Sequence, residues 1–248
     1  MEWIKDFYTK QYEWMNINDE DMLKAEEKRL QHIEQFAGKS ARTILELGGG
    51  KGYFAVAAAK KGYDVTVIEL AENAAAYTQQ LAKAYGVSEN ITVIQGDFYE
   101  TAITGQFDAV CYWDGFGIGT DADQQRLLKR IREWLKPDGT AFIDIYTPWF
   151  WAKAAGQRME LGSGIKRAYD FDAYNCRMLD AWWEQDHEEE KVVQSLRCYS
   201  PADLLLLLNG LDLEVIHCES GGAMDYEAWK YHEKVSLGDA MGYLAVLK

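Results

Sequence analysis

Apolar residues recur along this 248-residue chain with two different periods, and the change from one to the other divides it. Over the first forty residues the spacing is helical. Met22, Ala25, Arg29, Ile33 and Phe36 return every three or four positions, with Asp19 and Asp21 at the front and Gly38 as the stop. An aromatic cluster of Trp3, Phe7, Tyr8, Tyr12 and Trp14 comes before them. From Thr43 the pattern becomes an alternation. Residues 43–47, 64–68, 91–94, 107–113 and 140–146 read as short apolar strands. Residues 53–61, 73–85 and 124–135 read as helices, the last ended by Pro137, Asp138 and Gly139. Such alternation predicts an α/β fold, a mainly parallel sheet with helices on both faces and right-handed crossovers.

The alternation stops after Pro148. Residues 149–199 carry many aromatics and charges, with strands expected at 177–183 and 192–198 around an acidic loop, 184–191. This stretch reads as an insertion covering the sheet edge. Ser200 and Pro201 then open a helix. Residues 213–217 and 243–247 supply two closing strands, seven in all for the main sheet. The predicted organisation is a single domain: a helical cap (1–40), a core (43–147), an insertion (149–199) and a closing segment (200–248).

An apolar share of 48 % beside 27 % charged residues fits a folded globular chain, not a disordered one. The leucine run 204–208, like every other apolar run in the chain, is far below the roughly 18 residues of a spanning helix. The start, MEWIKDFYTK, lacks a basic segment followed by an apolar one, so no export signal is expected. The four cysteines (Cys111, Cys176, Cys198 and Cys218) are scattered and form no C-x-x-C pair, which argues against zinc and iron–sulfur sites and for a reducing, cytoplasmic setting. With 26 basic against 40 acidic residues the formal charge is −14, poorly suited to nucleic acid or an anionic membrane. The expected partner is a small molecule, and the expected state a monomer or homodimer.

The chemistry concentrates after the first strand. Glu46 is followed by Gly48, Gly49, Gly50 and Gly52, and then directly by a helix. Glycines there permit a tight turn and close backbone approach to a ligand, at the carboxyl end of the sheet where α/β folds bind ligands. Counted from Gly48, a dinucleotide frame, G-x-G-x-x-G/A, fails because Tyr53 takes its third place, whereas E-x-G-x-G-x-G fits throughout. Glu69 ends the second strand, where a carboxylate either accepts from two ribose hydroxyls or stands as solvated charge. Asp97 and Phe98 follow the third strand, Asp97 either meeting a ligand or capping a turn.

This order of motifs resembles the class I S-adenosylmethionine-dependent methyltransferases, closely over residues 43–147 and loosely over 200–248. The resemblance implies a Rossmann-like, doubly wound sheet with an inserted antiparallel lid, and S-adenosyl-L-methionine as cofactor. It implies Gly48, Gly49, Gly50 and Gly52 around the methionine part, with Glu46 under the amino group. Glu69 and Leu70 would hold the ribose, Asp97 and Phe98 the adenine, and Trp113 would face the sulfonium. Gly49 and Lys51 depart from common family residues, and Asp138 replaces a glycine in the turn before the fifth strand. The implied reaction is methyl transfer to a nitrogen or oxygen of a small organic acceptor. Alternatives are transfer of an aminopropyl or aminobutyryl group, ring closure releasing methylthioadenosine, or a non-catalytic cofactor-binding partner protein.

Asp114 and Tyr146 are the catalytic candidates. Asp114 is either a base or a loop acid before Gly115. Tyr8, sharing a helical face with Tyr12, is expected either to close over the cofactor or to pack on the insertion, with Tyr12, Trp149 and Arg177 on the substrate side. Arg167, Arg177 and Arg197 either steer a carboxylate or pair with the abundant acids. Because Asp144 is followed by Ile145 and not Asn, no metal is expected.

Overall fold

The computed structural model describes residues 2–15 and 18–248; positions 1, 16 and 17 of the helical cap lie outside them. The cap is α1 (Glu2–Trp14), α2 (Asp19–Ala25) and α3 (Glu27–Phe36). Asn18 caps α2 by accepting from the amides of Glu20 and Asp21. The single helix expected after Asp19 is broken at Glu26, whose buried carboxylate binds Arg29.

The core follows as β1 (Thr43–Leu47), α4 (Tyr53–Lys60), β2 (Asp64–Glu69), α5 (Glu72–Ala84), β3 (Ile91–Gln95), β4 (Phe107–Tyr112), α6 (Asp121–Trp134) and β5 (Leu135–Tyr146). Helix α6 begins earlier than expected because Thr120 and Asp123 cap each other reciprocally. It ends at Trp134. Pro137, Asp138 and Gly139 do not form a separate turn but belong to β5, where the pairing with β4 slips between Phe107 and Ala109.

The insertion holds α7 (Pro148–Ala154) and four strands, β6 (Arg158–Leu161), β7 (Ile165–Asp172), β8 (Arg177–Glu184) and β9 (Val192–Arg197), paired antiparallel in that order. The two expected strands are β8 and β9; β6 and β7 complete the lid. The closing segment contains α8 (Pro201–Leu207), β10 (Val215–Ser220), a hairpin of β11 (Ala223–Asp225) and β12 (Lys230–His232), and β13 (Gly242–Leu247). The hairpin had no signal in the sequence pattern.

The main sheet has seven strands in the order β10-β13-β5-β4-β1-β2-β3, with β13 antiparallel to both neighbours. Ile44, Leu45, Leu47, Phe142, Ile143 and Ile145 are completely buried, so β1 and β5 are covered on both faces, as a parallel sheet under two helical layers requires. Strand order reverses between β1 and β4, which opens a crevice at their carboxyl ends. Helix α1 and the lid sheet lie over that crevice, with Phe7 fully buried beside Trp182.

Candidate active site

The glycine turn leaves β1 with its backbone in left-handed conformations at Gly48 (φ +63°), Gly50 (+55°) and Gly52 (+78°). Only glycine adopts these without strain. The space is equally restrictive. A Cβ on Gly49 would lie 2.3 Å from a Val67 methyl and 3.2 Å from Glu46 Oε2, and one on Gly52 would lie 2.4 Å from Thr78. The Thr78 hydroxyl donates to the Gly50 carbonyl at 3.0 Å, which pins the turn to α5.

Two buried carboxylates flank the turn. Glu69 accepts from the Gly50 amide through one oxygen and from the Ala71 amide through the other, both at 2.7 Å. Burial raises its proton affinity, and these backbone donors oppose the rise. Glu46 is 4 % exposed, and its Oε2 has no hydrogen-bond partner among the described residues. Burial, then Glu26, push its carboxyl well above the usual range, while Arg29 opposes them. A buried carboxylate oxygen without a donor, beside a turn that excludes any side chain, suits a ligand bearing an ammonium group.

In front of the turn lies a cavity of about 340 Å³. At one end it is lined by Gly48, Glu69, Leu70, Asp97, Phe98 and Tyr99. Asp97 also caps its own turn by accepting from the Tyr99 amide at 2.8 Å. Helix α1 roofs the cavity with Ile4, Tyr8, Gln11, Tyr12 and Met15, and the rings of Tyr8 and Tyr12 stack 6.0 Å apart. Tyr112, Asp114 and Ile118 also line the cavity, and the lid contributes Arg167 and Trp182. Lys51 turns aside to the Met15 carbonyl at 3.0 Å.

Asp114 opens onto this cavity and also onto a second one of about 990 Å³ behind it, bordered by α3, β5, β10 and β13. The Tyr146 hydroxyl donates to Asp114 Oδ1 at 2.9 Å. Crowding by protein raises the proton affinity of Asp114, and Tyr146 lowers it. Asp144, in the second cavity, is pushed up by burial to about 6, with Arg29 at 3.2 Å opposing.

Of the residues singled out from sequence, the cavity gathers Tyr8, Tyr12, Gly48, Glu69, Leu70, Asp97, Phe98 and Asp114. Glu46, Gly49, Gly50 and Gly52 form the turn behind it. Four residues are placed elsewhere: Tyr146 lines the second cavity and reaches the first only through its bond to Asp114. Trp113 points to the opposite face of β4 from Tyr112, because successive strand residues alternate, and it packs on Phe54 and Phe142 beside the second cavity. Trp149 donates to the Leu237 carbonyl at 2.8 Å and lines neither cavity. Arg177 gives its donors to the carbonyls of Gly117, Gly119 and Ser195 and to the Ser195 hydroxyl, leaving no free fork for a substrate. Arg167 and Arg197 pair with Asp180 and Asp121. Sequence reasoning missed Ile4, Gln11 and Met15, although their spacing with Tyr8 and Tyr12 marks one helical face. It also missed Trp182, which reaches the site only through the lid's folding.

Residues 44–139 match the family described as "Methyltransferase domain". A methyltransferase-named protein of Geobacillus sp. (strain WCH70) is 30 % identical over 120 residues, which cover 46 % of this chain and 47 % of that one. The chain thus spans about half the length of that curated relative. Among solved structures, the CcbJ methyltransferase from Streptomyces caelestis is similar with a TM-score of 0.74 at 20 % identity, covering 97 % of this chain and 95 % of its own. An S-adenosylmethionine-dependent methyltransferase from Clostridium acetobutylicum gives 0.73 at 13 % identity, covering 94 % and 92 %. At these identities the structural likeness speaks for the fold. The matched stretch, which holds the glycine turn and the acidic residues Glu69 and Asp97, is similar in sequence to a methyltransferase domain, and the chain shares the fold of solved methyltransferases.

Proposed function

We propose that this chain transfers a methyl group from S-adenosylmethionine to a nitrogen or oxygen atom of a small organic acceptor. The observation that supports the reading is one cavity whose walls come from the core, the lid and α1 together. In this reading the turn from Gly48 to Gly52 and the unpartnered oxygen of Glu46 receive the methionine end. Glu69 and Leu70 take the ribose, for which the remaining lone pairs of Glu69 are available. Asp97 and Phe98 take the adenine, and Tyr8 and Tyr12 close over the ligand. When bound, the cofactor supplies a methyl group on sulfonium, released with the carbon–sulfur electron pair left on sulfur. The chain's part is then mainly placement and exclusion of water. Asp114, steadied by the Tyr146 hydroxyl, is the group positioned to accept an acceptor proton.

Calorimetric titration of the full chain with S-adenosylmethionine and S-adenosylhomocysteine tests the cofactor assignment, and absence of heat with both overturns it. Product analysis with an accepted substrate separates the chemistries. S-adenosylhomocysteine supports methyl transfer, whereas methylthioadenosine replaces it with aminopropyl transfer or ring closure.

A further inference from the structure

The charged side chains lining the cofactor cavity are Glu69, Asp97, Asp114 and Arg167. The lone cation is already committed, because Arg167 Nε and Nη2 bind the two oxygens of buried Asp180 at 2.8 and 2.7 Å. Its guanidinium is further held over the rings of Tyr169 and Trp182, at 4.7 and 4.6 Å. Arg29, which also acts on Asp114 at longer range, is held by Glu26 and Asp144. Asp114 therefore faces the cavity with a neutral partner, Tyr146, and without an uncommitted cation among the described residues. A carboxylate or phosphate ligand placed here meets like charge. A phenol is not repelled, but it leaves Asp114 without a counter-ion.

Two further groups at this end lack partners. Trp182 is 3 % exposed, and its Nε1–H has no acceptor among the described residues. Tyr112 is 1 % exposed, and its hydroxyl is likewise unpaired. Both residues line the same cavity as Asp114. A buried donor without an acceptor is unfavourable unless a ligand supplies one. The indole N–H can only donate, so what it calls for is an oxygen or nitrogen lone pair.

Resting on the methyltransferase reading, we propose that the lid end of this cavity takes a small aliphatic amine with a neighbouring hydroxyl, Asp114 receiving the nitrogen and Trp182 the oxygen. The amine arrives as an ammonium ion. One N–H bond breaks with its electron pair staying on nitrogen, the proton passes to Asp114, and the freed lone pair is the nucleophile. The negative lining selects against acidic acceptors before any contact forms, and Trp182 sets preference among amines.

Binding is measured by calorimetry on the full chain saturated with S-adenosylhomocysteine, using cyclohexylamine, 2-aminocyclohexanol, cyclohexanecarboxylate and phenol as probes. Both amines are expected to bind, the amino alcohol about tenfold more tightly, the value of one added hydrogen bond to a buried donor. Trp182→Phe keeps a ring in place and removes the N–H, and is expected to abolish most of that tenfold preference. Asp114→Asn is expected to weaken both amines by about tenfold or more. The proposal is overturned if neither amine binds, if phenol or the carboxylate binds as tightly as the amines, or if Trp182→Phe weakens both amines equally. Failure of S-adenosylhomocysteine itself to bind would instead overturn the methyltransferase reading beneath it.

Discussion

Glu69 holds two segments at once: one oxygen fixes the glycine turn at Gly50 and the other fixes the start of α5 at Ala71. Removing it acts on the ligand and on the turn together. Glu69→Ala is expected to weaken S-adenosylmethionine binding by roughly 1–3 kcal/mol, the loss of a charge-assisted acceptor, and to lower the melting temperature of the free protein. Unchanged affinity in calorimetry takes Glu69 out of the ribose role. At Gly50, a Cβ would lie 2.9 Å from the Tyr12 hydroxyl at a backbone φ of +55°. Gly50→Val is expected to retain the far-ultraviolet dichroism of the fold and to give no heat with cofactor; retained binding means that the turn does not approach the ligand.

At the scale of elements, the start of β1 depends on one side chain from β4. Asp108 accepts from the amides of Arg42 and Thr43, both at 2.9 Å, and pairs with Lys136 at 2.8 Å. These donors outweigh the effect of burial and hold its carboxyl well below the usual carboxylate range. A depressed carboxyl contributes stability above its unfolded value, near 3.9, and that contribution is lost as pH falls further through the folded value. Asp108→Asn is expected to lower the urea midpoint at pH 7, and the gap from the native chain is expected to narrow at pH 3. An equal gap at both values rules out the ionised form as the source.

The strands and helices of the core were legible because each has a clean period and a local stop, as in Thr43–Leu47 against Tyr53–Lys60. The acidic and glycine residues around the turn after β1 were legible for the same reason: each lies at or just beyond a strand end at fixed spacing. Trp113 was misplaced by a single step of strand parity, since Tyr112 beside it takes the cavity face. The lid was only half legible. Arg167, Trp182 and Gln194 come together through antiparallel pairing and packing on α1, as in the 2.7 Å bond from Gln194 to the Tyr8 hydroxyl, and no local pattern encodes that. Arg177 read as a cation for either a substrate carboxylate or an acidic side chain, because backbone carbonyls, its actual partners, are invisible in side-chain composition.

For the whole molecule, a ligand that touches core, lid and α1 stabilises them jointly. Saturation at about a hundredfold over Kd adds ~2.7 kcal/mol to folding stability, which for a chain of this size corresponds to a rise of roughly 5–10 °C in melting temperature. Differential scanning fluorimetry with S-adenosylhomocysteine measures it, and a rise confined to a minor transition would show that the parts unfold separately.

Arg177 ties β8 to the carbonyls of Gly117 and Gly119, while Arg197 of β9 donates its amide to the same Gly117 carbonyl at 3.0 Å. At Gly117 even a methyl group would collide with the Arg197 backbone, at 2.2 Å. The insert and the bend just after Asp114 are thus one mechanical piece. Anyone wishing to retarget this protein by grafting a foreign lid must transplant residues 114–119 with it; a chimera that swaps the four strands alone would leave Asp114 on a loosened hinge.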